Sequence, residues 1–561
     1  MIVRLLVGAA LALLAATPVH ADTMVINVNG VTIDDKGQPQ RFAALQFGAD
    51  GKVKAVFQSK DKRPKTDYQI DGKGRTMIPG LIDAHLHVMQ VGFAALTLDL
   101  SETKSLAEAQ AKIRAFAAAH PDRAWIVGRG WNQETWGLGR FPTAAELDAA
   151  VPGRPVWLER VDGHAGWANT AALAAAGVTA ATKDPPGGRI ERLAGGKPAG
   201  VLVDDAAQFI NRMVPPPRAD DRDLAFDTAQ RLLLARGLTA VADMGTSIED
   251  WQTFRRAGDL GRLRLRVMSY ALGIEAMALI GGPGPTPWLY DDRLRLNGIK
   301  LYADGALGSR GALLKAPYAD APQTRGIARI GETQLKNVMS RAAMDNFQIA
   351  VHAIGDGANA EVLDAIEDMQ ATYKGDRRWR IEHAQIVDPA DIPRLGKLGV
   401  IASMQPIHQV SDRTMAEARL GPARLAGAYA WKSLAAGGAR LAFGSDAPVE
   451  LPDPFAGMAA ALTREDAAGQ PFGGWQPQER IDRAAALAGY TTGAAWAGFA
   501  ERKFGRLAPG LRADFVLIDV DPLLASPSAL RQARVIETWI GGEKVFEAAA
   551  ARQGTRDGET R

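Results

Sequence analysis

The chain has 561 residues, with 66 Lys and Arg against 63 Asp and Glu, 47% hydrophobic residues and no cysteine. A chain this long can bury a large core in more than one domain, and its near-balanced charge without a basic run excludes a nucleic-acid partner. The missing cysteine excludes a disulfide framework, a thiol nucleophile and thiolate metal ligands, so a metal site must use histidine, carboxylate or a group derived from another side chain.

Met1 to Arg4 is a short positive start, Leu5 to Ala16 an apolar run and Val19-His20-Ala21 a small-residue cleavage site. These are the parts of a secretory signal, and the run is shorter than the ~20 residues that span a bilayer. Residues 1–21 are expected to be a signal peptide, leaving a mature protein free of the membrane in a bacterial periplasm or outside the cell. Residues 22–76 read as short strands, near 24–28 and 43–47, punctuated by Gly30, Gly48 and Asp50-Gly51. Residues 501–549 have the same style, with strands near 514–519 and 535–540 and a Gly541-Gly542 turn. The two ends are expected to form one composite β-sandwich, with 550–561 a disordered tail.

The middle, 77–500, alternates strand and helix patterns. Strands are expected near 77–87, 237–243, 264–271, 296–303, 348–353, 379–383, 399–404 and 440–446, which predicts an α/β fold, a (β/α)8 TIM-like barrel. The first gap is too long for one crossover, so 90–230 is expected to be an inserted subdomain over the carboxyl-end face. It carries Trp125, Trp131, Trp136, Trp157 and Trp167. Trp131 and Trp136 lie in a Gly-rich stretch and are expected, with Trp167, to line an apolar substrate pocket, whereas Trp125 and Trp157 read as core.

Barrel enzymes keep their catalytic groups where strands end. His85 and His87, two apart on a strand, project to one side with Asp83 in line behind them. Such a pair suits a borderline-soft cation such as zinc. His352, His383 (in Arg380-Ile381-Glu382-His383) and Asp446 end three more strands. Four histidines and an aspartate at four strand ends predict a metal site. On the fourth strand, Lys300 and Tyr302 share a face. A bare ammonium would repel a metal ion, so Lys300 either pairs with Asp304 or is carboxylated to an anionic oxygen ligand.

The phrase from Pro79 to His87 resembles the first-strand metal motif of the amidohydrolase superfamily. Gly128-Arg129-Gly130-Trp131-Asn132, Asp162-Gly163-His164, the run from Lys300 to Arg310, and Gly444-Ser445-Asp446-Ala447-Pro448 resemble amidohydrolase family 3, the branch of N-substituted formamide deformylase-like proteins. The likeness runs from about 24 to 546. It implies a barrel with a composite sandwich and metal-dependent hydrolysis of C–N bonds other than peptide bonds, with one or two divalent ions such as Zn2+. It further implies His85 and His87 on one ion, His352 and His383 on a second, carboxylated Lys300 between them, and Asp446 as general base and metal ligand. His164 is expected in catalysis, and His164, His408, Asp304 and Arg310 in substrate contacts. The expected partner is a small molecule, with a homodimer left open. Two rivals stand beside this reading: an esterase or lactonase using the same site, and a non-catalytic periplasmic binding protein.

Overall fold

The structure, a computed structural model, describes residues 21–34 and 36–549. The expected signal peptide, apart from Ala21, and the expected tail lie outside the described residues. Eight parallel strands follow one another in chain order: Leu81–Leu86, Leu238–Thr246, Arg266–Leu272, Leu294–Tyr302, Gln348–Ala353, Arg380–His383, Ile401–Met404 and Arg440–Phe443. Four of them are buried along their whole length, which is why they read as apolar on both faces. The sheet curls into a nearly closed barrel. Asp446 N donates to His85 O at 2.7 Å and His87 N to Ala447 O at 2.8 Å, joining the first strand to the segment after the last. Helices such as Ile248–Asp259 and Asp356–Thr372 connect the strands.

The stretch expected as one strand at 77–87 is two. Thr76–Pro79 pairs antiparallel with Phe515–Ile518, and Leu81–Leu86 belongs to the barrel. Gly80 makes the passage between sheets, where a Cβ would lie 2.2 Å from Thr239 Oγ1. The eighth strand stops at Phe443, and Gly444 meets the Asp83 carboxylate so closely that a Cβ would lie 2.6 Å from Oδ1. Both ends of the chain build one six-stranded sheet, in which Asn29–Ile33, Pro39–Phe42 and Thr76–Pro79 join Phe515–Ile518, Val535–Ile540 and Glu543–Glu547. A four-stranded sheet of Thr23–Ile26, Ala44–Phe47, Val53–Phe57 and Tyr68–Asp71 shares an apolar cluster with it through Leu45, Phe47, Met77 and Phe515.

Between the first two barrel strands, Leu98–Asp99, Ile126–Trp131, Val156–Arg160, Ala165–Ala168, Gly188–Arg192 and Pro198–Asp204 form a six-stranded sheet with apolar clusters of its own. The tryptophans expected in a pocket belong to this core. Trp131 ends a strand rather than sitting in a loop, is fully buried, and donates from Nε1 to Leu158 O at 2.7 Å. Trp167 is fully buried with Nε1 on Thr143 O at 2.8 Å, and Trp136 is buried with Nε1 on Thr103 O at 3.2 Å. A partner for each indole N–H removes the cost of burying it. The glycines around Trp131 serve close strand approach: a Cβ at Gly128 would lie 2.4 Å from Leu98 O. Trp131→Ala is therefore expected to cost about 3–5 kcal/mol and leave substrate preference unchanged. A melting curve beside a substrate panel checks it, and changed selectivity at full stability would contradict it.

Candidate metal centre and active site

A cavity of about 900 Å³ opens at the carboxyl ends of the barrel strands, walled by barrel loops on one side and the insertion on the other. His352, His383, His408 and Asp446 reach it from the barrel, and Arg129, Asn132 and His164 from the insertion. Asp446 joins the histidines. Its Oδ1 lies 3.3 Å from His85 Nε2 and 3.2 Å from His87 Nε2, and its Oδ2 lies 3.8 Å from His408 Nε2. The ligand atoms of His85, His87 and Asp446 fall within 4.8 Å of one another, as do those of His383, His408 and Asp446. The His383 ring centroid lies 4.7 Å from that of His85 and 4.6 Å from that of His352. The strand ends thus bring all four expected histidines and Asp446 together.

Two of these residues have a left-handed backbone, with φ 74° at His383 and 59° at Asp446. Non-glycine residues adopt that region at a cost, and only where the surroundings fix them. At His383 the twist lets a residue of opposite strand parity to Glu382 reach the same centre.

Second partners fix the rings. His85 donates from Nδ1 to Glu382 Oε2 at 2.6 Å, and His383 from Nδ1 to Gln405 Oε1 at 2.9 Å, so each keeps its Nε2 lone pair. His352 Nε2 contacts Gly305 O at 3.4 Å, leaving Nδ1. His408 is different: its Nδ1 accepts from Gln385 Nε2 at 3.0 Å, which places its proton on Nε2 and makes it a donor. Burial pushes the imidazoles of His85, His352 and His383 below their ordinary value, so they are neutral. Burial pushes the Asp446 carboxyl up, but a proton on a ring facing it, His85 first and then His87 and His383, outweighs the burial and holds it well below the carboxylate range. Neutral imidazoles around one anionic carboxylate fit a divalent ion of borderline softness.

Lys300 is buried, and its Nζ lies 3.3 Å from His85 Nε2 and 4.9 Å from the Tyr302 ring centroid. Burial pushes its amine down to about 8. The pairing with Asp304 does not occur. Asp304 is fully buried and accepts from the backbone N–H groups of Leu313, Ile354 and Gly355 at 2.8–3.0 Å, shaping the loops beside His352 rather than facing substrate. Burial raises its carboxyl to about 7. Arg310 is not in the cavity wall either, since its guanidinium pairs with Asp320 at 2.9 Å. His164 and His408 both line the cavity. His164 donates from Nδ1 to Asp204 Oδ1 at 2.7 Å; burial lowers its pKa, but Asp204 outweighs that and raises it above the ordinary value.

Glu382 is a functional residue the strand pattern signalled without its being picked out. It sits two residues from Arg380, hence on the same face, and pairs with it at 2.6 Å while orienting His85. Arg380 also donates to Ala84 O and Ser403 Oγ. Burial pushes the Glu382 carboxyl up, and Arg380 and His85 outweigh it, so its folded pKa lies well below the ordinary 4.5. A carboxyl depressed on folding contributes stability that is present above the unfolded value and lost as pH falls. Glu382→Gln is expected to cost about 3–5 kcal/mol at neutral pH, because it leaves a buried arginine unpaired. The gap in Tm from wild type should narrow as pH drops below 4.5. A gap that stays constant down to pH ~3 would contradict this account of the pair.

A nearly closed parallel barrel with a histidine and aspartate centre at its carboxyl end is an arrangement suited to a metal-dependent hydrolase. The comparisons agree. A family model described as "Amidohydrolase family" matches residues 69–546, and the chain belongs to that family. It is 32% identical over 544 residues to Protein LONG AFTER FAR-RED 3 of Arabidopsis thaliana, covering 94% of this chain and 92% of that one. It is 27% identical over 549 residues to the N-substituted formamide deformylase of Arthrobacter pascens, covering 94% and 98%. Among solved structures, an uncharacterized metal-dependent hydrolase from Pyrococcus horikoshii OT3 matches with a TM-score of 0.73 at 26% identity, covering 90% of this chain and 99% of that one.

Proposed function

We propose that the protein hydrolyses a non-peptide C–N bond of amide type in a small molecule, with one or two zinc or other divalent ions. The observation that carries this reading is the Asp446 carboxylate, anionic and within 3.3 Å of two histidine Nε2 atoms at the cavity floor. The likeness to a relative named for deformylating N-substituted formamides supports the choice of bond. His85, His87, His352, His383 and Asp446, with Lys300 as its carbamate, would hold the metal. A divalent ion there supplies Lewis acidity and lowers the pKa of bound water to about 7.

The chain's own residues then divide the work. Asp446 is unprotonated at neutral pH, takes the proton of the attacking water and delivers it to the leaving nitrogen. His408, with its proton on Nε2, and His164, as the imidazolium that Asp204 favours, donate to the carbonyl oxygen as charge builds on it. Glu382 and Gln405 keep the His85 and His383 rings aimed while charge moves. A panel of N-formyl and N-acyl amines beside the matching esters and lactones tests the assignment on zinc-loaded protein. Release of free amine supports it. Hydrolysis of esters alone supports the esterase rival, and tight binding without turnover of any kind supports the binding-protein rival.

We further read 22–76 and 501–549 as a composite sandwich and 77–500 as the hydrolase barrel, with 90–230 inserted; the two terminal sheets and the insertion's own sheet support that division. The mature protein is expected to begin at Asp22, in the periplasm or outside the cell, and a homodimer is compatible with this reading. No helix among the described residues is long and apolar enough to cross a membrane. N-terminal sequencing of protein from a periplasmic extract should read Asp22 first, and an intact Met1 on soluble protein would contradict export.

A further inference from the structure

We infer that Asp204 of the insertion is a positioning residue of the catalytic centre: it seats the insertion on the barrel loop 304–311 and holds the His164 ring for its contact with substrate. The inference rests on the role proposed above for His164.

Asp204 ends the strand Pro198–Asp204, and its side chain has no exposed surface. Its Oδ1 accepts a hydrogen bond from His164 Nδ1, and its backbone N–H donates to His164 O at 2.9 Å. Its Oδ2 has no hydrogen-bond partner among the described residues. That oxygen lies against two glycines of the barrel loop. A Cβ at Gly305 would come within 2.4 Å of it, and a Cβ at Gly311 within 2.6 Å. Neither glycine has a positive φ, so space rather than backbone freedom demands glycine there. The Gly-rich run after Lys300 is thus a socket for a carboxylate from another part of the chain. Gly308 gives similar room to Arg160, where a Cβ would lie 2.7 Å from Nη1. Arg160 in turn pairs with Asp162, two residues before His164.

Asp204 itself has φ 49°, a conformation that a non-glycine residue keeps only where its surroundings over-determine it. The next residue, Asp205, pairs with Arg329, whose guanidinium lies 4.9 Å from the Tyr302 ring centroid. The same junction therefore touches the residue that flanks Lys300. Only one nitrogen of His164 is engaged by Asp204. The ring lines the cavity, with its centroid 4.9 Å from that of His352.

A double-substitution cycle separates positioning from simple fastening. Asp204→Asn, His164→Asn and the pair are compared in zinc-loaded protein on the amide or ester that the wild type turns over best, with metal content and Tm read beside kcat and KM. Asp204→Asn is expected to lower kcat about 10–100-fold with KM and metal content nearly unchanged, and to cost little more once His164 is already replaced. Gly305→Ala, which leaves both side chains in place and crowds Asp204 from the loop side, should lower kcat in the same way. An equal loss from Asp204→Asn with and without His164 would overturn the inference. Turnover of esters but not amides would defeat the C–N reading while leaving the cycle readable. If neither is turned over, the cycle is read in the Kd of acetohydroxamate for zinc-loaded protein, where coupling supports the pair and additivity contradicts it.

Discussion

Replacing Asp446 by asparagine is expected to lower turnover at least ~10²-fold, about 2.7 kcal/mol of transition-state stabilisation. The substitution keeps the shape of the side chain and one oxygen near His85 and His87 but removes the proton acceptor. Neither His408 nor Asp304 replaces it: His408 presents a proton rather than a lone pair at Nε2, and Asp304 is held by three backbone donors. Metal content measured on the same sample separates the two roles of Asp446. A variant with full metal and low kcat assigns the loss to the base, and a variant depleted of metal assigns it to the ligand. Wild-type turnover at full metal occupancy would rule Asp446 out of the chemistry.

Lys300→Ala should have an effect on the order of 10³-fold, because a lost ligand removes Lewis acidity worth several kcal/mol. In the structure the Lys300 amine faces the Tyr302 ring and donates to His85 Nε2. Desolvation opposes a charged lysine there and outweighs the Glu382 and Asp446 carboxylates that favour it. Burial brings its amine to about 8, which makes the neutral form that reacts with carbon dioxide accessible near neutral pH. Reconstitution of metal-free wild type with zinc should therefore be faster with bicarbonate present. Lys300→Ala should bind less metal, and a short carboxylic acid added with zinc should restore part of the activity. A fully active enzyme whose Lys300 is unmodified would contradict the carbamate.

Much of the barrel was legible because several strands are buried on both faces and carry a chemically unusual residue at or near their carboxyl ends. The strand that carries His352 falls on the expected residues, and those ending near Tyr302 and His383 differ by only one or two positions. The passage at Gly80 was not legible: an unbroken apolar run carries no mark that it changes sheets, and the reason lies in Thr239, far along the chain. The tryptophans misled because a Gly-rich stretch reads as a loop, whereas here the glycines let strands and loops approach closely around a core. In the site, residues that face the metal centre were found from strand parity. Those that orient them were harder: Glu382 carried a parity signal, but Asp204 reaches His164 only through the pairing of strands 40 residues apart.

Removing divalent metal with a chelator and adding zinc back, while following release of amine from an N-acyl amine, tests the centre most directly. Turnover is predicted to fall in step with metal content and to return with one or two zinc ions per chain. Undiminished amide hydrolysis by protein free of metal would contradict a metal-dependent centre built from these histidines and Asp446.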